Sequence, residues 1–181
     1  SITAAHSANV AIPGNQDDMI KKSHEKAEKA GQILKNLQKR MKNDYGKFWR
    51  QNLNEYFINA EQEIVEAFSL LAIIKQEEIP SKDIPFRTQN PDSYIKMKTT
   101  VKVSDEAYVF GLLDCVGELK RVIMDSLNRT DSDFAKKVFV IMQELFQKLE
   151  PFTQFSNSFH YLKPKIDAAR YAVNDAKKLL K

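Results

Sequence analysis

The sequence predicts an all-α protein, and three observations carry that expectation. Only 5 Gly and 6 Pro interrupt the 181 residues, and three of the prolines (Pro80, Pro85, Pro91) fall in one short stretch. Elsewhere apolar side chains recur at steps of three and four, the spacing that lines one face of a helix. The periodic runs begin and end on residues that start and stop helices. The pattern predicts a bundle of about five to seven helices. The expected organisation is one helical domain over residues 17–181 behind a small, polar tail, residues 1–16. A composition of 43% hydrophobic and 29% charged residues supports a packed core rather than a disordered chain.

Asn15, Asp17 and Asp18 are good starters for the first helix. Ala27, Ala30, Ile33, Leu34, Leu37 and Met41 then form its apolar stripe, and Asn43-Asp44-Tyr45-Gly46 predicts a break. A second helix is expected from Lys47 to Glu78, with Phe48, Leu53, Phe57, Ile58, Val65, Phe68, Leu71 and Ala72 on its apolar side. Pro80 stops it, because the residue before proline is pushed out of the helical region. A Pro-containing connector follows to Val103, with a β-like piece at Thr99–Val103 that has no evident partner strand. Ser104-Asp105-Glu106 starts a third helix, nearly all apolar to Met124 and expected to be the buried central one. Thr130-Asp131-Ser132 caps a fourth helix, ended by Pro151, and an aromatic-rich loop leads to a last helix with Pro164 in its first turn.

Charge is unevenly placed. Residues 21–50 hold ten basic side chains and three acids, so this stretch carries +7 while the whole chain carries +4. A basic helix on an otherwise acidic body suits a polyanion, and a solvated helix face is the plainer alternative. No apolar run is long enough to span a membrane. The single cysteine, Cys115, is expected to be buried and unreactive, and suits a reducing intracellular compartment, the cytoplasm first.

Several catalytic kits are missing. The sequence has no Gly-rich phosphate loop, and His6, His24 and His160 share no ligand spacing. No histidine follows a glutamate by three residues, which sets aside a di-iron bundle. Two acid pairs remain. Glu63 and Glu66, three apart, and Asp114 and Glu118, four apart, each lie on one helical face. The second pair interrupts an apolar helix, where carboxylates are costly unless compensated. A hard divalent cation such as Mg²⁺ or Mn²⁺ would compensate both acids. So would ion pairs with Lys120, Arg121 or the basic first helix, Glu118–Arg121 being at helical spacing. Gly111 and Gly117 flank Asp114 and point to tight helix packing or to close approach of a substrate backbone.

The run Tyr108-Val109-Phe110-Gly111-Leu112-Leu113-Asp114-Cys115-Val116-Gly117-Glu118-Leu119-Lys120-Arg121 resembles the hallmark helix of the translin/Trax family, Tyr-Leu-x-Gly-x-x-Asp-x-x-Gly-Glu-Leu-x-Arg. Upstream, Glu63-Ile64-Val65-Glu66-Ala67 and Ile79-Pro80-Ser81 resemble two further family segments. Asp133-Phe134 and Asp167 through Leu180 fall where the family has its last two helices. The similarity covers about residues 56–181; the first 50 match only in helical and basic character.

The resemblance implies a curved multi-helix bundle, the translin-like α-α superhelix. It implies assembly into a hollow octamer with RNA, single-stranded by preference, on its inner surface. The assembly is either of one chain or with a translin-like subunit. In the Trax branch the motif acids form a Mg²⁺-dependent endoribonuclease site, and by position they fall on Glu63, Glu66, Asp114 and Glu118. All four are acidic here, which favours a catalytic subunit. Lys39, Arg40, Lys47, Arg50 and Arg121 are the expected RNA-binding residues. Departures from the pattern are Cys115, Ile64 where an aromatic is common, and a short region before residue 55. Two other readings stand beside this one. The acids could be structural in a non-catalytic, translin-like scaffold for single-stranded nucleic acid. An all-α nucleotide pyrophosphohydrolase also uses Glu-x-x-Glu, but its second pair runs Glu-x-x-x-Asp, the reverse of Asp114-x-x-x-Glu118.

Overall fold

The computed structural model describes residues 14–75 and 101–181. Among these residues there are five α-helices and no strand: α1 (Gly14–Tyr45), α2 (Trp49–Ile74), α3 (Asp105–Asn128), α4 (Ser132–Leu149) and α5 (Leu162–Leu179). The all-α expectation holds. The chain forms two compact units, residues 1–104 and 105–181. The end expected for the second helix and most of the Pro-containing connector lie outside the described residues.

In the first unit α1 and α2 form an antiparallel hairpin, with His24 edge-on to Phe68 near one end and Gln38 bonded to Glu61 near the other. α1 takes in Gly14, Asn15 and Gln16, which the sequence assigned to the tail. The predicted break is real. Gly46 sits at φ +70, a left-handed conformation that costs glycine little, and opens a single 3-10 turn, Gly46–Phe48. Trp49 then seats edge-on against Phe57 at 4.9 Å between ring centroids.

The apolar stripe of α1 is narrower than its sequence suggests. Ala27 and Leu34 are buried, but Ile33 and Leu37 are exposed. Residues 27, 34 and 41 lie on one face, whereas 30, 33 and 37 lie on the next, and a single neighbouring helix covers one face only. On α2 the buried residues include Phe57, Glu61, Ile64, Val65, Phe68, Leu71 and Ala72, one continuous stripe with an acid in it.

In the second unit α3 packs against both α4 and α5, the central place its apolar sequence predicted. Ten of its residues are buried, Cys115 among them. The Asp131 side chain accepts a hydrogen bond from Phe134 N at 3.1 Å and caps α4. Pro151 lies in a 3-10 segment, Glu150–Phe155, that carries the aromatic residues Phe152 and Phe155. Pro164 stands in the first turn of α5, where its missing N–H costs nothing. The β-like piece has no regular structure over residues 101–104. Its Val101 and Val103 side chains are buried, and the Lys102 carbonyl accepts from Gln38 and Arg50 instead of from a strand.

Candidate functional site

The face of α3 that carries the second acid pair is set by helical geometry. Asp114, Gly117, Glu118 and Arg121 stand at i, i+3, i+4 and i+7, one stripe along the helix. Leu112, Leu113, Cys115, Val116 and Leu119 around them are buried, while the carboxylate side chains of Asp114 and Glu118 are 28% and 29% exposed. Both acids thus sit at the rim of an apolar helix, within reach of a solute. A Cβ built on Gly117 would meet no atom within 4 Å, so this glycine faces open space rather than packing against a helix.

Each acid has a cation. Lys165 reaches across from α5 and its Nζ donates to both Asp114 oxygens, at 2.6 and 2.7 Å. The same ammonium lies 5.4 Å from the centre of the Phe110 ring. Arg121 Nη1 lies 2.7 Å from Glu118 Oε1 on the same helix. The Glu118–Arg121 pair is the one helical spacing predicted. For Asp114 the expected partners were Lys120, Arg121 or the first helix; Lys165 of α5 is a partner that expectation did not include. Lys120 is drawn instead to Asp175 on α5, whose carboxyl its ammonium holds below the usual carboxylate range.

The first pair belongs to the first unit. Glu63 is exposed on α2 and Glu66, one turn on, is half-buried. Among the described residues no three His, Cys, Asp or Glu side chains are grouped to hold a metal ion. The chemistry of the donors does suit a hard cation. Asp114 already binds one, an ammonium, through both oxygens, and a carboxylate one turn away shares its stripe.

Of the basic residues, Lys39, Arg40 and Lys47 are exposed. Arg40 leans toward Asp44 at 3.5 Å, a solvated pair of little energetic weight. Arg121 is 75% exposed while paired with Glu118. Arg50 is different: its guanidinium donates to both oxygens of Glu61, whose side chain is 0% exposed. Gln38 Nε2 and Ser104 N donate to the same carboxylate, each at 2.8 Å.

A model of the Translin family matches residues 1–179. The chain belongs to the translin family. A further relative of this translin-family chain is an uncharacterised protein of Methanocaldococcus jannaschii, 28% identical over 101 residues. That match covers 55% of this chain and 38% of the relative, so the chain spans well under two thirds of the relative's length. Two solved structures are similar in fold, AfC3PO in complex with duplex RNA and AfC3PO by itself. Both give a TM-score of 0.55 at 19% identity. The first covers 90% of this chain and 85% of its own, the second 91% and 87%. At that identity the likeness is one of fold.

Two residues of this translin-family chain escaped the sequence reading. Glu61 had a signal: it falls on the buried stripe of α2 between Phe57 and Ile64, where an acid demands a partner. Lys165 had none, because only the packing of α5 on α3 brings it to Asp114, 51 residues away.

Proposed function

We propose that this chain is an RNA-binding subunit of a translin-type assembly and that it cleaves RNA with divalent-metal help. The observation that carries the reading is the Asp114–Gly117–Glu118 stripe on α3, two partly exposed carboxylates at the rim of an apolar helix beside a glycine that faces open space. The duplex RNA bound by AfC3PO, a protein of similar fold, supports RNA as the ligand class. Asp114 and Glu118 would hold Mg²⁺ or Mn²⁺, and Glu63 and Glu66 fill the positions of the family's other acid motif. When bound, such an ion polarises a phosphodiester and lowers the pKa of a water.

The chain's own groups supply the rest. Exposed Lys39, Arg40 and Lys47 attract the phosphate backbone, with an affinity that falls as salt rises. Lys165 and Arg121 lie beside the two acids and neutralise charge on an incoming phosphate. Arg50, committed to Glu61, holds the hairpin rather than the RNA. Single-stranded RNA is the preferred substrate, and the assembly is a shell of eight subunits, of this chain alone or with a translin-like partner.

The deciding experiment is cleavage of a labelled single-stranded RNA by the wild type and by Asp114→Asn/Glu118→Gln, each in Mg²⁺ and in EDTA. Metal-dependent cutting that the double variant lacks is the expected result. The scaffold reading has an observation of its own, since the ion pairs with Lys165 and Arg121 already satisfy both acids. It predicts salt-sensitive RNA binding, weakened by replacing Lys39, Arg40 and Lys47 together, and no cutting in any metal.

A further inference from the structure

We propose that the turn between α1 and α2 is a base-stacking site for single-stranded RNA, where Tyr45 and Phe48 take the faces of unpaired bases and the cations around them hold the phosphates. The inference rests on the RNA-binding reading above and adds to it the residues that grip the bases.

The turn is anchored without the help of either ring. Gly46 at φ +70 redirects the chain, the Trp49 N–H donates to the Gly46 carbonyl, and the Trp49 ring is buried against Phe57. Tyr45 and Phe48, on either side of this bend, are 65% and 56% exposed. One exposed aromatic is ordinary on a protein surface. Two within four residues, on a backbone that is already fixed, make a platform that loses little freedom on binding. A Cβ built on Gly46 would meet no atom within 4 Å, so the space beside the bend is open to a ligand.

Charge decides the occupant. Residues 39–48 hold four basic side chains, Lys39, Arg40, Lys42 and Lys47, against one acid, Asp44, and all five are exposed. Lys47 Nζ stands 5.0 Å from the centre of the Phe48 ring, so a cation and a π-face share one spot. A symmetric contact between two copies of this turn would set like charges against each other. A single strand of RNA satisfies both features, because it offers phosphates to the cations and unstacked bases to the rings. A duplex offers only the phosphates, since its bases are already stacked on one another. Every base has a π-face, so the site tolerates any sequence.

The test is anisotropy titration of the full chain, in EDTA, with labelled oligouridine, an abasic strand of the same length and a blunt RNA duplex. The proteins are the wild type, Tyr45→Ala/Phe48→Ala, Tyr45→Phe/Phe48→Tyr, and Tyr171→Ala as a control on an aromatic of the second unit that is 67% exposed. The wild type should bind oligouridine roughly fivefold to over a hundredfold more tightly than the abasic strand, the gain of at least one base–aromatic stack. The double alanine variant should lose that preference and keep the salt dependence, which reports phosphate contacts. The aromatic exchange and Tyr171→Ala should keep the preference, and the duplex should bind wild type and alanine variant alike. Equal binding of oligouridine and abasic strand by the wild type would overturn the stacking site and leave the RNA reading intact. A preference that survives in the alanine variant, or vanishes equally in Tyr171→Ala, would also overturn it. So would a change of oligomeric state in the alanine variant with its base preference intact, which would make the turn a contact between copies. Failure of the wild type to bind any of the three nucleic acids at low salt would sink the RNA reading itself.

Discussion

Replacing Glu61 should unfold the first helical pair more readily than any other single polar change in it. The carboxylate is 0% exposed and receives four kinds of donor contact: two nitrogens of Arg50, Gln38 Nε2 and Ser104 N. Glu61→Ala takes the carboxylate from the Arg50 guanidinium, which is only 31% exposed and keeps just the neutral acceptors of Lys102 and Asn54, and it removes one acceptor from Gln38 and the side-chain acceptor of Ser104 N. Breaking a buried pair from one side costs about 3–5 kcal/mol. Because Arg50 keeps partial contact with water, the lower half of that range is expected. Glu61→Gln keeps the shape and one acceptor oxygen but turns an amide NH₂ toward donors, and should cost about 1–3 kcal/mol. The assay is urea denaturation followed by fluorescence. The chain has one tryptophan, Trp49, which lies against Phe57 with the Arg50 guanidinium 5.2 Å from its ring, so the signal reports on this unit. Glu63→Ala on the exposed side of α2 is the control, expected within about 0.5 kcal/mol of wild type. If Glu61→Ala shifted the midpoint no more than Glu63→Ala, the buried-carboxylate argument would be refuted.

Three further predictions concern the second unit. Lys165→Met removes the ammonium from Asp114, so Mn²⁺ binding followed by electron paramagnetic resonance should tighten several-fold; weaker binding would show that Lys165 positions the carboxylate rather than competing for it. Gly117→Ala should stabilise the chain by about 0.5–1 kcal/mol, since alanine favours a helix and meets no atom there; a loss of stability in thermal melts would contradict the open geometry. The Asp175 carboxyl is held below its usual value by Lys120, so its contribution to stability is present above a pH of about 4 and is lost as pH falls through the lowered value. Lys120→Met should remove that part of the acid sensitivity, and identical acid-unfolding curves for variant and wild type would count against it.

Most of the fold was legible because it follows from local chemistry. Gly46 at a left-handed φ, Asp131 as a cap and Pro164 in a first helical turn each act within a few residues, and each appears where the sequence put it. The width of the α1 stripe was not legible, because Ile33 and Leu37 differ from Leu34 only in which neighbour covers them. The site divides in the same way. Asp114 and Glu118 announce themselves as acids in an apolar run, and Glu118–Arg121 follows from helical spacing. Lys165 could not be read, because its role depends on a helix 51 residues away.

The ion pairs at the acid stripe bear on both functional readings at once. Two carboxylates one turn apart repel, and a helix as apolar as α3 offers them little solvation. Some cation must therefore stand near them whenever the unit is folded. Lys165 and Arg121 fill that role in the free chain, which makes the stripe stable without a metal and keeps its geometry ready. The two cations differ in tether. Arg121 shares a helix with Glu118 and is 75% exposed, so it can swing into water at little cost. Lys165 is 24% exposed, bridges two helices and bonds both oxygens of its acid. An incoming metal can thus take Glu118 readily, but it must contend with Lys165 for Asp114, and that contest sets how tightly the site loads.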